Sequence, residues 1–285
     1  MKQGAKDTPF YQKKTLHSRG KLLQPDWPWV MGIINVTPDS FYSGSRARHE
    51  DQATGMAEKM ITDGADILDV GGYSSRPGSD DIDPETEMGR VLPVIETLHT
   101  RFPGIILSID TFRSEVARRA IELGAGMIND ISGGRLDPEI LPLAAEFRVP
   151  YVFMHMKGTP RTMKQLTQYD RLIPEIVFYF SEGIKRMQQA GICDIILDPG
   201  IGFAKSITQN FEILKNLSYF NIFGLPLMVG VSRKSLIYKT LRSDPEKALN
   251  GTTVLHTMAI LNQASILRTH DVKEAREVIQ LLKQF

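Results

Sequence analysis

The chain has 285 residues, with 34 Lys or Arg against 33 Asp or Glu, for a formal net charge of +1. Hydrophobic residues at 42% and charged ones at 24% are the proportions of a globular protein with material for a large core, which argues against a disordered chain. Near-neutrality leaves no electrostatic footprint for nucleic acid or an anionic membrane, and a single cysteine excludes an internal disulfide.

In chain order, "MKQGAKDTPFYQKKTLHSRGKLLQ" lacks the apolar stretch of a secretory signal, so a soluble, cytoplasmic protein is expected. Its six Lys/Arg against one Asp through residue 22 fit a solvated tail over 1–12. Residues 13–24 read as a small hairpin turning at Arg19-Gly20, placed to cap one end of the fold.

Eight short apolar runs follow, at 29–36, 65–71, 105–110, 126–130, 151–156, 194–198, 227–232 and 264–269. They are continuous, not alternating, as in parallel strands covered on both faces. Cys193, just ahead of one run, reads as a small core residue. Helical stretches lie between the runs. Those at 83–98, 137–147 and 244–261 each open with Asp-Pro, an N-cap followed by proline at the first helical position, and Ser206 with Gln209 forms a capping-box pattern. Eight strand–helix units predict the α/β class and a (β/α)₈ TIM barrel, a single domain over 1–285 with a short N-terminal hairpin. An open doubly wound sheet is the competing architecture, but no run is followed by G-x-G-x-x-G.

Barrel sites form at the C-terminal ends of strands, which here carry Asn35, Asp69, Asp110, Asn129 with Asp130, His155, Asp198, Ser232, and Arg268 with His270. "IILDPGIGFAKS" (195–206) is not a phosphate loop, since its Gly and Lys spacing departs from G-x-x-x-x-G-K-[ST]. It reads as a strand delivering the Asp198 carboxylate. Asp198, Asn129 and Asp110 could accept hydrogen bonds from the adjacent N–H donors of a guanine-like or pterin-like ring. A second, cationic group of Arg76, Arg233, Lys234, Arg268 and His270 suits a phosphate.

The blocks "MGIINVTPDSF" (31–41), "DVGGYSSRPG" (69–78), "SIDTF" (108–112), "IND" (128–130), "MHMKGTP" (154–160), "DPGIGFAK" (198–205), "VGVSRKS" (229–235) and "RTHD" (268–271) resemble the signature blocks of the dihydropteroate synthase family. The resemblance runs from about residue 16 onward. It implies condensation of 6-hydroxymethyl-7,8-dihydropterin diphosphate with 4-aminobenzoate, releasing diphosphate. By the same resemblance Asp110, Asn129, Asp198 and Lys234 would contact the pterin, with Met154 and Phe203 lining its pocket. Asn35 would ligate Mg²⁺, and Ser75, Arg268 and His270 would hold the diphosphate. Phe41, Arg76, Pro77 and Ser232 would line the aminobenzoate pocket. The residues carrying catalysis would be Asp110, Asp198, Lys234, Arg268 and His270, with no general base, and the assembly a homodimer through outer helices. Tyr73, where the family commonly has Glu, Ser75 for Thr and Ala204 for Gly are departures. A pterin-dependent methyltransferase serving corrinoid proteins and a non-catalytic pterin-binding protein are the alternatives; neither needs a diphosphate clamp.

Overall fold

The computed structural model describes residues 15–24, 26, 28–37, 46–74 and 81–285. The chain begins there as a hairpin, β1 (Leu16–Ser18) and β2 (Lys21–Leu23), paired antiparallel. Arg19 at φ 50° and Gly20 at φ 75° supply the two left-handed residues that the tightest hairpin turn requires. Hydrogen bonds tie the hairpin to the rest. Ser18 Oγ donates to the Gly126 carbonyl at 2.7 Å, His17 N–H to the Asp194 carboxylate at 2.9 Å, and Arg19 to the Gly124 carbonyl at 3.1 Å. The tail over 1–12 lies outside the described residues.

Eight parallel strands form the centre: β3 (Trp29–Asn35), β4 (Ile67–Gly71), β5 (Ile106–Asp110), β6 (Met127–Asp130), β7 (Tyr151–Met154), β8 (Ile195–Asp198), β9 (Met228–Val229) and β10 (Ile266–Thr269). Their order is β8-β7-β6-β5-β4-β3-β10-β9. A parallel bridge between Leu197 and Leu227, with Leu197 N–H donating to the Pro226 carbonyl at 2.9 Å, joins the ends. The result is the expected (β/α)₈ barrel. Helices α1 (Arg46–Thr62), α2 (Pro84–Arg101), α3 (Ser114–Glu122), α4 (Ile140–Phe147), α5 (Leu172–Gln189), α6 (Ile207–Lys215), α7 (Ser235–Thr240), α8 (Leu249–Leu261) and α9 (Val272–Leu282) surround it.

The continuous apolar runs now have their cause. One set of alternate residues, Met31, Ile67, Met127, Val152, Ile196, Met228 and Ile266, fills the barrel floor and is sealed from below by Leu16 of β1. The other set, including Val30, Leu68, Ile109, Ile128 and Leu197, packs outward against helix faces such as Val91, Val94, Ile95 and Leu98 of α2. A one-residue slip would exchange the two sets. Each fully buried aliphatic side chain contributes about 1.5–3 kcal/mol, so the register is held firmly.

Several sequence expectations need correction. The run 227–232 forms a strand only over Met228–Val229, with Leu227 in the closing bridge ahead of it, because the chain turns soon after, with Lys234 N–H donating to the Val231 carbonyl and Arg233 at φ 54°. Asp83 does cap its helix, accepting from Thr86 N–H at 2.8 Å, and the Ser206–Gln209 capping box is present. Asp137 does not start a helix at Pro138. Its carboxylate is shared: Oδ2 accepts Ser114 N–H at 2.6 Å, capping α3 from a neighbouring unit, while Oδ1 accepts Glu139 N–H at 3.1 Å in the turn ahead of α4, which begins at Ile140. Asp244 leads into a 3₁₀ turn (Pro245–Lys247) without capping it. Cys193 is exposed, the neighbouring Ile192 taking the buried place instead. Among the described residues no helix is long and apolar enough to cross a membrane.

Candidate active site

Moving two residues up each strand from the apolar floor keeps a side chain on the inward face. On that next level stand Asp69, Ser108, Asn129, Met154, Asp198 and Arg268. The floor excludes water and the level above it is polar, so the alternation that builds the core also delivers the site. Register places Asn35 of β3 beside Gly71 of β4, Gly71 beside Asp110 of β5, and Asp110 beside Asn129 of β6. Gly71 leaves room: a Cβ there would lie 3.3 Å from the Asp110 Cβ.

Asp69 is fully buried, and its Oδ2 accepts from Asn129 Nδ2 at 2.9 Å and from Arg268 Nε at 2.7 Å. Arg268 also donates through Nη2 to Asp110 Oδ2 at 2.6 Å. A guanidinium bridging two carboxylates in this way is a charge-assisted pair of the stronger kind. Burial still pushes the Asp110 carboxyl up to about 7 against the opposing pull of Arg268.

Across the mouth, Asp198 is 7% exposed and accepts from Gly200 N–H at 2.7 Å. Burial raises its pKa, and Lys234 and the Gly200 amide act to lower it. Lys234 donates to the Ile201 carbonyl and stands 5.0 Å from the centroid of the Phe203 ring. Burial draws this ammonium down to about 8. Met154 and Phe203 share one apolar cluster with Met156 and Met163. Gly200 is required where it sits, since a Cβ would meet the His155 carbonyl at 2.0 Å. Ala204, in place of the common Gly, adopts φ 49°, a left-handed conformation that disfavours it by about 1 kcal/mol.

A third group sits at the exits of β9 and β10, where Ser232 Oγ lies 3.2 Å from His270 Nδ1 and accepts the His270 backbone N–H at 3.2 Å. The expected cationic cluster is therefore divided. Arg268 has turned to the acids, Lys234 lies over the loop after β8, and Arg233 leaves the mouth to pair with Asp271. Asp130 and His155 are structural at this stage. Asp130 anchors the turn after β6 by accepting Ser132 and Gly134 N–H at 2.6 and 2.7 Å. His155 packs edge-on against Tyr179 at 4.7 Å, with burial lowering its pKa to about 2, so it stays neutral. Tyr73 meets Phe112 edge-on at 5.2 Å, with the Arg113 guanidinium over both rings. Phe41, Ser75, Arg76 and Pro77 lie outside the described residues.

Sequence reasoning placed Asp69 at a strand end but gave it no role. The signal was present, as Asp69 lies two residues before Gly71 on the inward face. Among the described residues no group of three or more His, Cys, Asp or Glu side chains is arranged to cage a metal. Asn35, at the same rung as Asp110, offers one hard oxygen. That donor set fits a magnesium ion that keeps its waters and arrives with a substrate's phosphates.

Residues 31–270 match the family described as pterin binding enzyme. The dihydropteroate synthase of Escherichia coli (strain K12) is 42% identical over 270 residues, spanning 94% of this chain and 95% of that one. Two solved structures superpose closely. The Yersinia pestis dihydropteroate synthase, in complex with a sulfonamide drug, does so with a TM-score of 0.89 and 39% identity, over 95% of this chain and 98% of that one. The Xanthomonas albilineans dihydropteroate synthase, with 4-aminobenzoic acid, gives a TM-score of 0.88 and 38% identity, over 95% and 97%.

Proposed function

The chain belongs to the pterin-binding enzyme family as a dihydropteroate synthase, and from that premise we propose how its own residues carry the reaction. The reaction joins 6-hydroxymethyl-7,8-dihydropterin diphosphate to 4-aminobenzoate, giving 7,8-dihydropteroate and diphosphate. The observation that carries the assignment of roles is the inward polar level directly above an apolar floor, with Asp198 on one side and Asp69 and Asn129 on the other, and Asp110 one inward step above them.

The pterin edge presents neighbouring N–H donors, which a buried carboxylate such as Asp198 accepts, while Asn129 and Lys234 serve its carbonyl and ring nitrogens. Met154 and Phe203 cover its faces. The methylene C–O bond breaks to release diphosphate, and positive charge spreads into the reduced ring. Asp110 and Asp198, fixed before the reaction begins, stabilise that charge without reorganising. The neutral arylamine nitrogen then forms the C–N bond, and its proton leaves with the basic diphosphate. Asn35 would hold Mg²⁺, which when bound supplies charge neutralisation for the departing group. His270 serves the same anion with Ser75, and Arg268, held by Asp69 and Asp110, would add the guanidinium N–H groups not given to those acids. Phe41, Arg76, Pro77 and Ser232 are assigned to the aminobenzoate pocket, where sulfonamides compete.

Two coarser features are read in the same way. The outward face of α8 leaves Val254, Met258 and Leu261 exposed at helical spacing, which supports a homodimer through this helix. The cytoplasm, where the exposed Cys193 thiol stays reduced, is the compartment assigned. The test is a coupled assay of diphosphate release from the two substrates with Mg²⁺, on the parent and on Asn35→Ala. The reading expects turnover in the parent and a loss in the variant that extra Mg²⁺ partly restores. A parent that makes no dihydropteroate contradicts the synthase, and a variant as fast as the parent contradicts the metal ligand.

A further inference from the structure

The loop after β8 doubles back through three left-handed residues, Gly200 at φ 67°, Gly202 at φ 88° and Ala204 at φ 49°. Such a path turns carbonyls inward, away from any regular ladder, and buried carbonyls need donors. One side chain meets two of them and a third carbonyl from the segment after β7. Lys205 Nζ donates to the carbonyls of Gly200 and Phe203, each at 2.9 Å, and to that of His155 at 3.3 Å. Lys205 is only 8% exposed.

Each of these carbonyls borders a group assigned to the pterin end. The Gly200 N–H donates to Asp198, the next carbonyl along, Ile201, receives Lys234, and the Phe203 ring lies beside the Lys234 ammonium. The His155 carbonyl fastens the same point to the segment after Met154 at the top of β7. The outer side of the loop is held separately, by Tyr169 donating to the Ala204 carbonyl at 3.0 Å and by Asn210 accepting Gly202 N–H at 2.7 Å. An apolar side chain would be easier to bury than an ammonium. A cation here is explained by the carbonyls it satisfies.

We propose that Lys205 is a positioning residue for the pterin pocket, an internal clasp that holds the loop carrying Phe203 and bracing Asp198 and Lys234 in binding register. The inference rests on the assignment of that pocket to the pterin. Burial takes the Lys205 ammonium down to about 7, with Asp198 opposing and Lys234 and Lys157 adding to the effect. The neutral His155 ring and the Tyr169 phenol are further titratable neighbours. A clasp of this kind acts on one substrate and not on the other. Loss of its donors loosens the pterin end, while the aminobenzoate pocket keeps its walls.

The experiment compares Lys205→Met and Lys205→Arg with the parent. Affinity for 6-hydroxymethylpterin is read by titration calorimetry, KM for 4-aminobenzoate at saturating pterin substrate, and folding by thermal unfolding. Lys205→Met is expected to unfold cooperatively, to bind the pterin at least about tenfold more weakly, and to keep KM for 4-aminobenzoate within about threefold. Lys205→Arg, which keeps the charge but displaces the donors, is expected to lose at least about threefold in pterin affinity by the same reasoning, and decides the matter if Lys205→Met does not fold. Parental pterin affinity in the folded variants, or equal loss toward both substrates, overturns the proposal. Asp198→Asn serves as the control. If it too binds pterin like the parent, the pocket assignment fails; if it alone loses affinity, only the role of Lys205 fails.

Discussion

The floor and the mouth of the barrel are built on the same strands, at the same inward-facing positions, about 6.6 Å apart at about 3.3 Å of rise per residue. Below stand Met31, Ile67, Met127, Val152, Ile196, Met228 and Ile266, closed by Leu16. One step higher stand Asp69, Asn129, Asp198 and Arg268, which bury charge and hydrogen-bond to one another or to the bent loop. Stability and chemistry are thus divided along each strand. The floor supplies the free energy that allows the mouth to keep partly desolvated acids and a guanidinium in fixed places.

The division can be broken from either end. The largest effect is expected from Asp198→Asn, which removes a pre-placed charge. kcat/KM for the pterin substrate should fall by about 10²–10³-fold, the scale of losing one oriented electrostatic group, while the unfolding temperature stays close to that of the parent. Leu16→Ala is its opposite. Removing a fully buried side chain under the floor should destabilise the fold by about 2–5 kcal/mol in denaturant titration, with kcat/KM unchanged under conditions where the protein is folded. Loss of activity in proportion to stability in both variants would erase the distinction.

A milder test uses pH. The pH dependence of kcat/KM reports on the free enzyme. With burial raising Asp110 to about 7 and lowering Lys234 to about 8, activity should rise through the first value as the carboxylate ionises and decline above the second as the ammonium loses its proton. Asp110→Asn should remove the acid limb; a rate flat from acid to alkaline conditions in the parent would contradict both assignments. The smallest effect on turnover is expected from Met258→Glu on α8, far from the mouth. It should convert dimer to monomer in light scattering and leave kcat within about twofold, since a surface charge perturbs the fold little.

Much of this was legible in the amino-acid order. Strand positions showed as continuous aliphatic runs because both faces of each strand are covered, and the strand ends named the polar level almost completely. The short β9 was overread because Val231 stays buried in a turn just as it would in a strand. Burial alone does not distinguish the two. The three Asp-Pro pairs look alike, yet Asp83 caps its own helix while the Asp137 carboxylate is divided between its own turn and α3, a difference made by tertiary neighbours. Arg268 was expected with the anion-binding groups. Its partner Asp69 is 199 residues away and one strand removed, so only the pairing of the last strand, β10, with the first barrel strand, β3, brings them together. Arg233 and Lys234 are adjacent in sequence, but the left-handed Arg233 backbone sends their side chains to different places.

Whether the inward level above the floor is the pterin site is decided by calorimetric titration of 6-hydroxymethylpterin into the parent, Asp198→Asn and Leu16→Ala. Binding is expected to be lost in Asp198→Asn and retained by folded Leu16→Ala. Parental affinity in Asp198→Asn would contradict that assignment.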